Sequence, residues 1–253
     1  MIKKEINILT LDIGNTLVKT EVWNEEDLMF HMVSETVPFD EIKELKKKFN
    51  IERCIISSVR TSESKLPERL SKIIGSEPIF FDNNEIRKYG EKIRYQGNIG
   101  ADRIAAALGA ETLYPSVSKL IVDAGTAITT DVVDSNDTFC GGNISLGLQG
   151  RLSSLNKGTS LLPKVDNTGE RVQAFGVDTS SAILSGAING ILGELLFAFE
   201  RAKNNYQAEM MIITGGDANT FHPLLKENNL NCEFDSSLVG RGLNSHFRRM
   251  CLN

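Results

Sequence analysis

The stretch "LTLDIGNT", residues 9–16, has the form of an apolar strand ending in a carboxylate, with glycine two residues on and a hydroxyl beyond it. "LIVDAGTA", residues 120–127, repeats that form with Asp123 in the place of Asp12. Each is followed by a second extended run, "LVKTEVW" and "ITTDVV". A buried strand, a turn relaxed by glycine and a returning strand predict a hairpin whose tip carries a carboxylate and open backbone N–H groups. Such a tip suits a phosphate and its cation.

Outward from the two hairpins, the order of elements also repeats. After the first, "LMFHMVSETV" supplies a third strand, and "FDEIKELKKKF" a helix with Asp40 as N-cap and Ile42, Leu45 and Phe49 on one face. A strand "RCIISSV", a helix "ESKLPERLSKII" and a short strand "PIFF" follow. After residue 118 come the strands "KLIVDA", "AITTDVV" and "TFCGGNIS", then helices, the strand "EMMIITGG", a helix through "FHPLLKEN" and the strand "CEF". Three strands and then alternating helix and strand, written twice, predict an α/β chain of two related halves, each a mixed sheet with helices, around a central cleft. The loop "YQGNIG" and the helix "ADRIAAALGAETLY" join the halves, which sets them at 1–115 and 116–253.

The bulk numbers agree with two halves. At 253 residues the chain exceeds the usual single-domain size, and 41% hydrophobic residues with only 6 Pro can build a real core. A net charge of −5 gives no basic footprint for a polyphosphate backbone, so no nucleic-acid partner is expected. Lys3 and Lys4 precede too short an apolar run for a signal peptide, no stretch approaches a membrane-spanning length, and the expected compartment is the cytoplasm. Cys54, Cys140, Cys232 and Cys251 lie far apart, and His31, His222 and His246 have no zinc spacing, so the thiols are read as reduced and structural. The longest helical pattern, "TSSAILSGAINGILGELLFAFERAKNN", mixes Ala182, Gly186, Ala187, Gly190 and Gly193 with Ile and Leu. Each Gly costs about 1 kcal/mol of helix propensity against Ala, so either close core packing or a subunit interface should compensate.

A third glycine signal, "IITGGDA" at 212–218, places Gly215 and Gly216 just after an apolar strand. Singly, each of the three signals is an ordinary turn. In this order, two Asp-bearing hairpins and a late Gly-Gly strand end resemble the two phosphate motifs and the adenosine motif of the actin-like ATPase superfamily. No GxxxxGK[ST] sequence offers a Walker-type site instead. The succession "DIGNTLVK", "GADR" at 100–103, "DAGTAITTD", "GGNISLGLQGRLSSLNKGTSLLP" and "DTSSAILSGAINGI" further resembles the type III pantothenate kinase family over nearly the whole chain.

That resemblance implies ATP-dependent phosphorylation of the primary hydroxyl of pantothenate, the first step of coenzyme A synthesis. It also implies a need for Mg2+ and for K+ or NH4+, and a homodimer. Asp12 would then hold Mg2+ through water, with Ile13, Gly14, Asn15, Thr16 and Lys19 at the phosphates. Asp123 would hold the monovalent cation and Thr126 a phosphate oxygen, while Gly215 and Gly216 belong to the nucleotide site. Asp102 becomes the general base; without the family, a carboxylate in the first turn of a helix is explained by the helix dipole alone. Tyr95, Gly100, Ala101, Arg103 and Thr179 match pantothenate-binding positions, Thr179 from the partner subunit. Two departures stand out: the segment from Tyr95 to "GADR" is short, with Gly97 near an expected Pro, and Leu146 replaces a usual Pro. The alternatives are an actin-like kinase for another small hydroxyl or carboxylate acceptor, which should not need "GADR" and "DTSSAI" together, and a regulatory ATP-binding protein, which should have lost a carboxylate. A chaperone-type ATPase would need a further peptide-binding domain.

Overall fold

A computed structural model describes residues 6–60, 65–167, 169 and 172–251. The chain divides into two compact units, one running through Pro115 and resuming at Ser237, the other Ser116–Ser236.

In the first unit Asn7–Ile13 (β1) and Val18–Asn24 (β2) make the expected hairpin, and Asp27–Ser34 (β3) pairs outside β2. Phe39–Phe49 (α1) leads into Ile51–Ser58 (β4), parallel to β1, and Leu66–Ile74 (α2) leads into Ile79–Phe80 (β5). The sheet order is β3-β2-β1-β4-β5. Strand alternation sorts its faces: Leu9, Leu11 and Ile13 join Val22, Cys54 and Ile56 in a core with Ile42 and Leu45 of α1 and Leu70 and Ile74 of α2. Thr10, Asp12, Lys19 and Glu21 therefore take the other face. Glu63 and Ser64, the expected start of α2, lie outside the described residues. Asp40 is not the N-cap of α1: Pro38 precedes the helix, its carbonyl accepts from Ile42 N at 2.9 Å, and Asp40 in the first turn takes Lys43 Nζ at 2.7 Å instead.

The second face is covered by a helix that the sequence reading leaves out. Leu238–Cys251 (α8) packs on Ala101–Leu113 (α4) and on β1, burying Leu238, Val239, Leu243 and Phe247. This corrects the expected boundary, since the segment from Ser237 belongs to the first unit and not to a second half ending at residue 253. Glycine permits the contact. A Cβ on Gly242 would lie 1.7 Å from Ala105 O, and one on Gly240 the same distance from Oε2 of the buried Glu21. Two glycines within three residues read locally as a break, yet here they let two backbones and a carboxylate approach.

In the second unit Lys119–Ala124 (β6) and Ala127–Val133 (β7) form the other hairpin, with Phe139–Leu146 (β8) outside it. Leu148–Gly158 (α5) and Thr179–Tyr206 (α6) follow, then Met210–Thr214 (β9) parallel to β6, Ala218–Glu227 (α7) and Cys232–Phe234 (β10). The order β10-β9-β6-β7-β8, read from its far end, is that of the first sheet. Leu120, Val122, Met211 and Ile213 share a core with Leu148 of α5, Ile188, Ile191 and Leu195 of α6 and Phe221 of α7.

The sequence expectation about membrane-spanning length needs correction at α6. Its 28 residues are long and apolar enough to cross a membrane by length and composition, with a window of mean hydropathy 1.7. Ile183, Ala187, Ile188, Ile191, Leu195, Phe199 and Ala202 are nevertheless buried in the core of the second unit, which makes α6 a core helix. Cys54, Cys140 and Cys232 are not in disulfides, and burial pushes the Cys54 and Cys232 thiols well up, the latter to about 12; the side chain of Cys251 lies outside the described residues.

Candidate active site

The first hairpin sets Asp12 directly opposite Lys19 across β1 and β2, both partly buried on the face that α8 and α4 cover. Facing residues of such a pair have their side chains within reach of each other, which places Lys19 where its charge can meet the carboxylate. Ile13 turns into the opposite core. Gly14 N donates to Leu17 O at 3.0 Å, and a Cβ there would meet the same oxygen at 3.2 Å, which keeps the turn tight and leaves Asn15 and Thr16 exposed at its tip. On the other side of β1, Ser57 of β4 is the register partner of Asp12.

The second hairpin repeats this arrangement. Asp123 has Thr129 opposite on β7 and Thr214 beside it on the parallel β9. Thr126 is exposed at the tip, and its carbonyl accepts from Gly147 N at 3.1 Å. Gly215 leaves β9 with φ +97°, and a Cβ there would fall 2.4 Å from both Asp123 Oδ1 and Ala124 O. Asp217 N then donates to Ala124 O at 2.8 Å, so the Gly-Gly turn lies directly against the carboxylate hairpin. Gly216 is exposed, with open space around it. Burial raises the carboxyl of Asp217. Leu146, where Pro is usual, is held by other means. Its carbonyl takes Arg151 Nε at 2.8 Å, and Gly150 leaves room for its side chain.

At the start of α4, Gly100 is the N-cap and Asp102 lies in the first turn with Ala101 before it. The Asp102 carboxylate folds back over the turn, accepting from Arg103 N at 2.9 Å, and a Cβ on Gly100 would stand 2.5 Å from its Oδ1. Glycine is thus required for this carboxylate position. Arg103 is buried, and its guanidinium lies 5.3 Å from the centre of the Tyr95 ring. The short segment before the motif therefore still brings Tyr95 to Arg103. Gly97 has φ +84°, a turn that Pro could not make. Ile99 N donates to Asn83 Oδ1 at 3.3 Å, anchoring the segment just before the helix.

Thr179 is the first residue of α6 and exposed, behind a capping box in which Asp178 accepts from Ser181 N at 2.9 Å and Ser181 Oγ accepts from Asp178 N at 3.0 Å. Those bonds to Ser181 hold the Asp178 carboxyl below its usual range. Thr179, Ala182, Gly186, Gly190, Gly193 and Phe197 follow one another at helical spacing, and all are exposed. Nothing lies within 4 Å of where a Cβ on Gly186 or Gly193 would be. Close packing inside the chain is thereby excluded as the reason for these glycines, whereas Ala187 faces the core.

Three buried serine or threonine hydroxyls have no partner among the described residues: Thr20, Ser57 and Thr214. Two of them are the register neighbours of Asp12 and Asp123. A buried hydroxyl left unmatched costs free energy, so its place beside a carboxylate fits a site completed by an ion or its water. The donors around both carboxylates are oxygens, which suits Mg2+ and alkali ions, and no described cluster of three acidic, His or Cys side chains could strip the hydration of Mg2+. Ser57 and Thr214 escaped sequence reading, although "CIISS" and "MIITG" both end an apolar strand in a hydroxyl.

A duplicated five-stranded sheet, each copy opening on an antiparallel hairpin with Asp at the end of its first strand, defines the actin-like class of ATP-using proteins. A ROK family glucokinase from Streptomyces griseus, solved with glucose and AMPPNP, shares the fold at TM-score 0.53 and 11% identity, over 95% of this chain and 97% of the other. Within that class, the family model for type III pantothenate kinase matches residues 8–201, and the chain belongs to that family. Type III pantothenate kinases of Flavobacterium johnsoniae and Phocaeicola vulgatus are 32% and 31% identical to it, over 87% and 93% of this chain and 89% and 96% of theirs.

Proposed function

We propose that this chain transfers the γ-phosphoryl group of ATP to the primary hydroxyl of pantothenate, giving 4'-phosphopantothenate. The observation that carries this reading is the family match across residues 8–201, a span that takes in both Asp hairpins, the whole of "GADR" and Thr179. A coupled ADP-release assay with pantothenate against a panel of sugars and short acids tests it. Turnover on a sugar and none on pantothenate would replace it.

Phosphoryl transfer asks a protein chiefly to align two oxygens and to neutralise charge on the transferred group. Asp12, with Ser57 beside it, would hold hydrated Mg2+, and Lys19 adds a fixed positive charge. Gly14, Asn15 and Thr16 present the turn to the phosphates, and Thr126 does so from the second hairpin. When bound, the metal supplies charge neutralisation at the phosphates. Asp102 accepts the proton of the pantothenate hydroxyl as the new P–O bond forms and ADP leaves. Its carboxylate is held at the helix start, and Arg103 and Tyr95 beside that start bind the substrate. Because the proton leaves late in a loose transition state, only modest basicity is needed of the base.

Asp123, with Thr214 beside it, would hold K+ or NH4+ in this reading. Turnover is expected to be higher in potassium than in sodium-only buffer of equal ionic strength, and Asp123→Ala to blunt the difference. Equal rates of the parent enzyme in both buffers would remove the cation assignment.

The exposed small-residue stripe on α6 supports a homodimer in which Thr179 serves the partner's substrate. Gly193→Trp places a large ring in that stripe without entering the core, so light scattering should report a monomer of low activity. A fully active monomer overturns this assignment.

A further inference from the structure

Arg60 lies two residues past the end of β4 and is not a residue that the hairpin motif contains. Its side chain reaches two strand ends. Nε donates to Gly14 O at 2.6 Å, and Nη1 donates to Glu35 O, just past β3, at 3.2 Å. The backbone around it is fixed as well: Val59 N donates to Ile13 O at 3.1 Å, and Arg60 N to Ser58 Oγ at 3.2 Å. One guanidinium thus ties the tip of the first hairpin to the exits of β3 and β4, all within the first unit.

The bond to Gly14 has a geometric consequence for its neighbour. Gly14 C=O and Asn15 N–H share one peptide plane, and in a trans peptide they point in opposite directions. Clamping the carbonyl onto Arg60 therefore aims the Asn15 N–H away from Arg60, and Asn15 itself is exposed at the tip. Glycine at residue 14 makes that peptide easy to rotate, so the turn needs an external hold if its N–H is to be an organised donor. A charged donor makes a stronger hold than a neutral one, and the planar guanidinium, unlike an ammonium, can serve both carbonyls in a fixed geometry.

We infer that Arg60 is a positioning residue of the phosphate site: it clamps the Gly14 carbonyl, presents the Asn15 N–H to a nucleotide phosphate, and adds positive charge behind that peptide. The inference rests on the kinase reading only in taking the ligand at this tip to be a nucleotide phosphate. It is tested by calorimetric binding of ADP and AMPPNP to the parent, Arg60→Lys and Arg60→Gln, with thermal melting on the same preparations and kinetics for both substrates. The loss of a charged hydrogen bond predicts a nucleotide affinity lower by roughly tenfold to a hundredfold in Arg60→Gln. Arg60→Lys should fall between it and the parent. KM for ATP should rise while KM for pantothenate stays within about twofold, and added guanidinium should restore part of the binding in Arg60→Ala. Unchanged nucleotide affinity in a normally melting Arg60→Gln overturns the inference, as does a loss that falls equally on both substrates. If Arg60→Gln fails to fold, Arg60→Lys decides by the same two measures. Binding of ADP needs no pantothenate, so a parent that binds nucleotide but does not phosphorylate pantothenate defeats the proposed acceptor and leaves this inference standing.

Discussion

Asp102→Asn should lower kcat by roughly 10² to 10⁴ while fold and ATP binding persist. Asn has nearly the shape of Asp and can still accept from Arg103 N, so the turn at Gly100 stays closed and Arg103 stays buried against Tyr95. The carboxylate that takes the hydroxyl proton is gone. A purely structural role predicts something else: a carboxylate in the first turn of a helix contributes only about 0.3 to 1 kcal/mol through the helix dipole, and turnover would be near normal. Melting temperature, nucleotide binding by calorimetry and kcat on one preparation separate the two. A variant that melts normally, binds ATP and phosphorylates pantothenate within a few-fold of the parent rate would falsify the catalytic role.

The second large effect is expected at Gly215. At φ +97° an L side chain is strained by about 1 to 3 kcal/mol, and an alanine Cβ would meet Asp123 Oδ1 and Ala124 O at 2.4 Å, an overpacking worth about 1 to 3 kcal/mol more. Ala124 O is backbone at the end of β6 and is held by the sheet, whereas Asp123 Oδ1 is a side-chain oxygen that can give way only by turning the carboxylate. The strain is relieved by moving the Gly-Gly turn or the Asp123 carboxylate. In the proposed mechanism either movement disturbs nucleotide and cation together, and kcat/KM for ATP should fall by about a hundredfold or more. Gly216→Ala is the control, because a Cβ there meets nothing within 4 Å. Its activity should stay within a few-fold of the parent. Equal behaviour of the two variants would show that contact with Asp123 is immaterial.

The two hairpins were legible because their signal is local. An apolar run, Asp, Gly and a returning strand lie within about fifteen residues, and strand alternation then assigns each side chain to a face. Hence β6 and β7 begin and end where the sequence pattern places them. Helix starts were less legible, as Asp40 shows: a carboxylate near an N-terminus can cap the helix or pair with a lysine one turn on, and the preceding Pro38 decided for the second. The α6 pattern predicted a long helix with small residues, but composition alone could not say which of them face the core. Packing separates Ala187, which is buried, from Gly186, which is not.

By itself the sequence determined the duplicated α/β plan, the positions of Asp12 and Asp123 at strand ends, and Asp102 in the first turn of a helix, because each follows from contacts between near neighbours along the chain. Only the tertiary structure decided that α8 returns to the first unit, that Tyr95 meets Arg103 across a shortened loop, that unmatched hydroxyls of Ser57 and Thr214 stand beside the two carboxylates, and that Arg60 grips Gly14. Each of these pairings depends on how a strand, helix or loop is placed against another. Arg60 and Gly14 are 46 residues apart, and Gly240 and Glu21 lie near opposite ends of the chain. No periodicity records such partners, since their attraction is realised only once the core has brought the elements together.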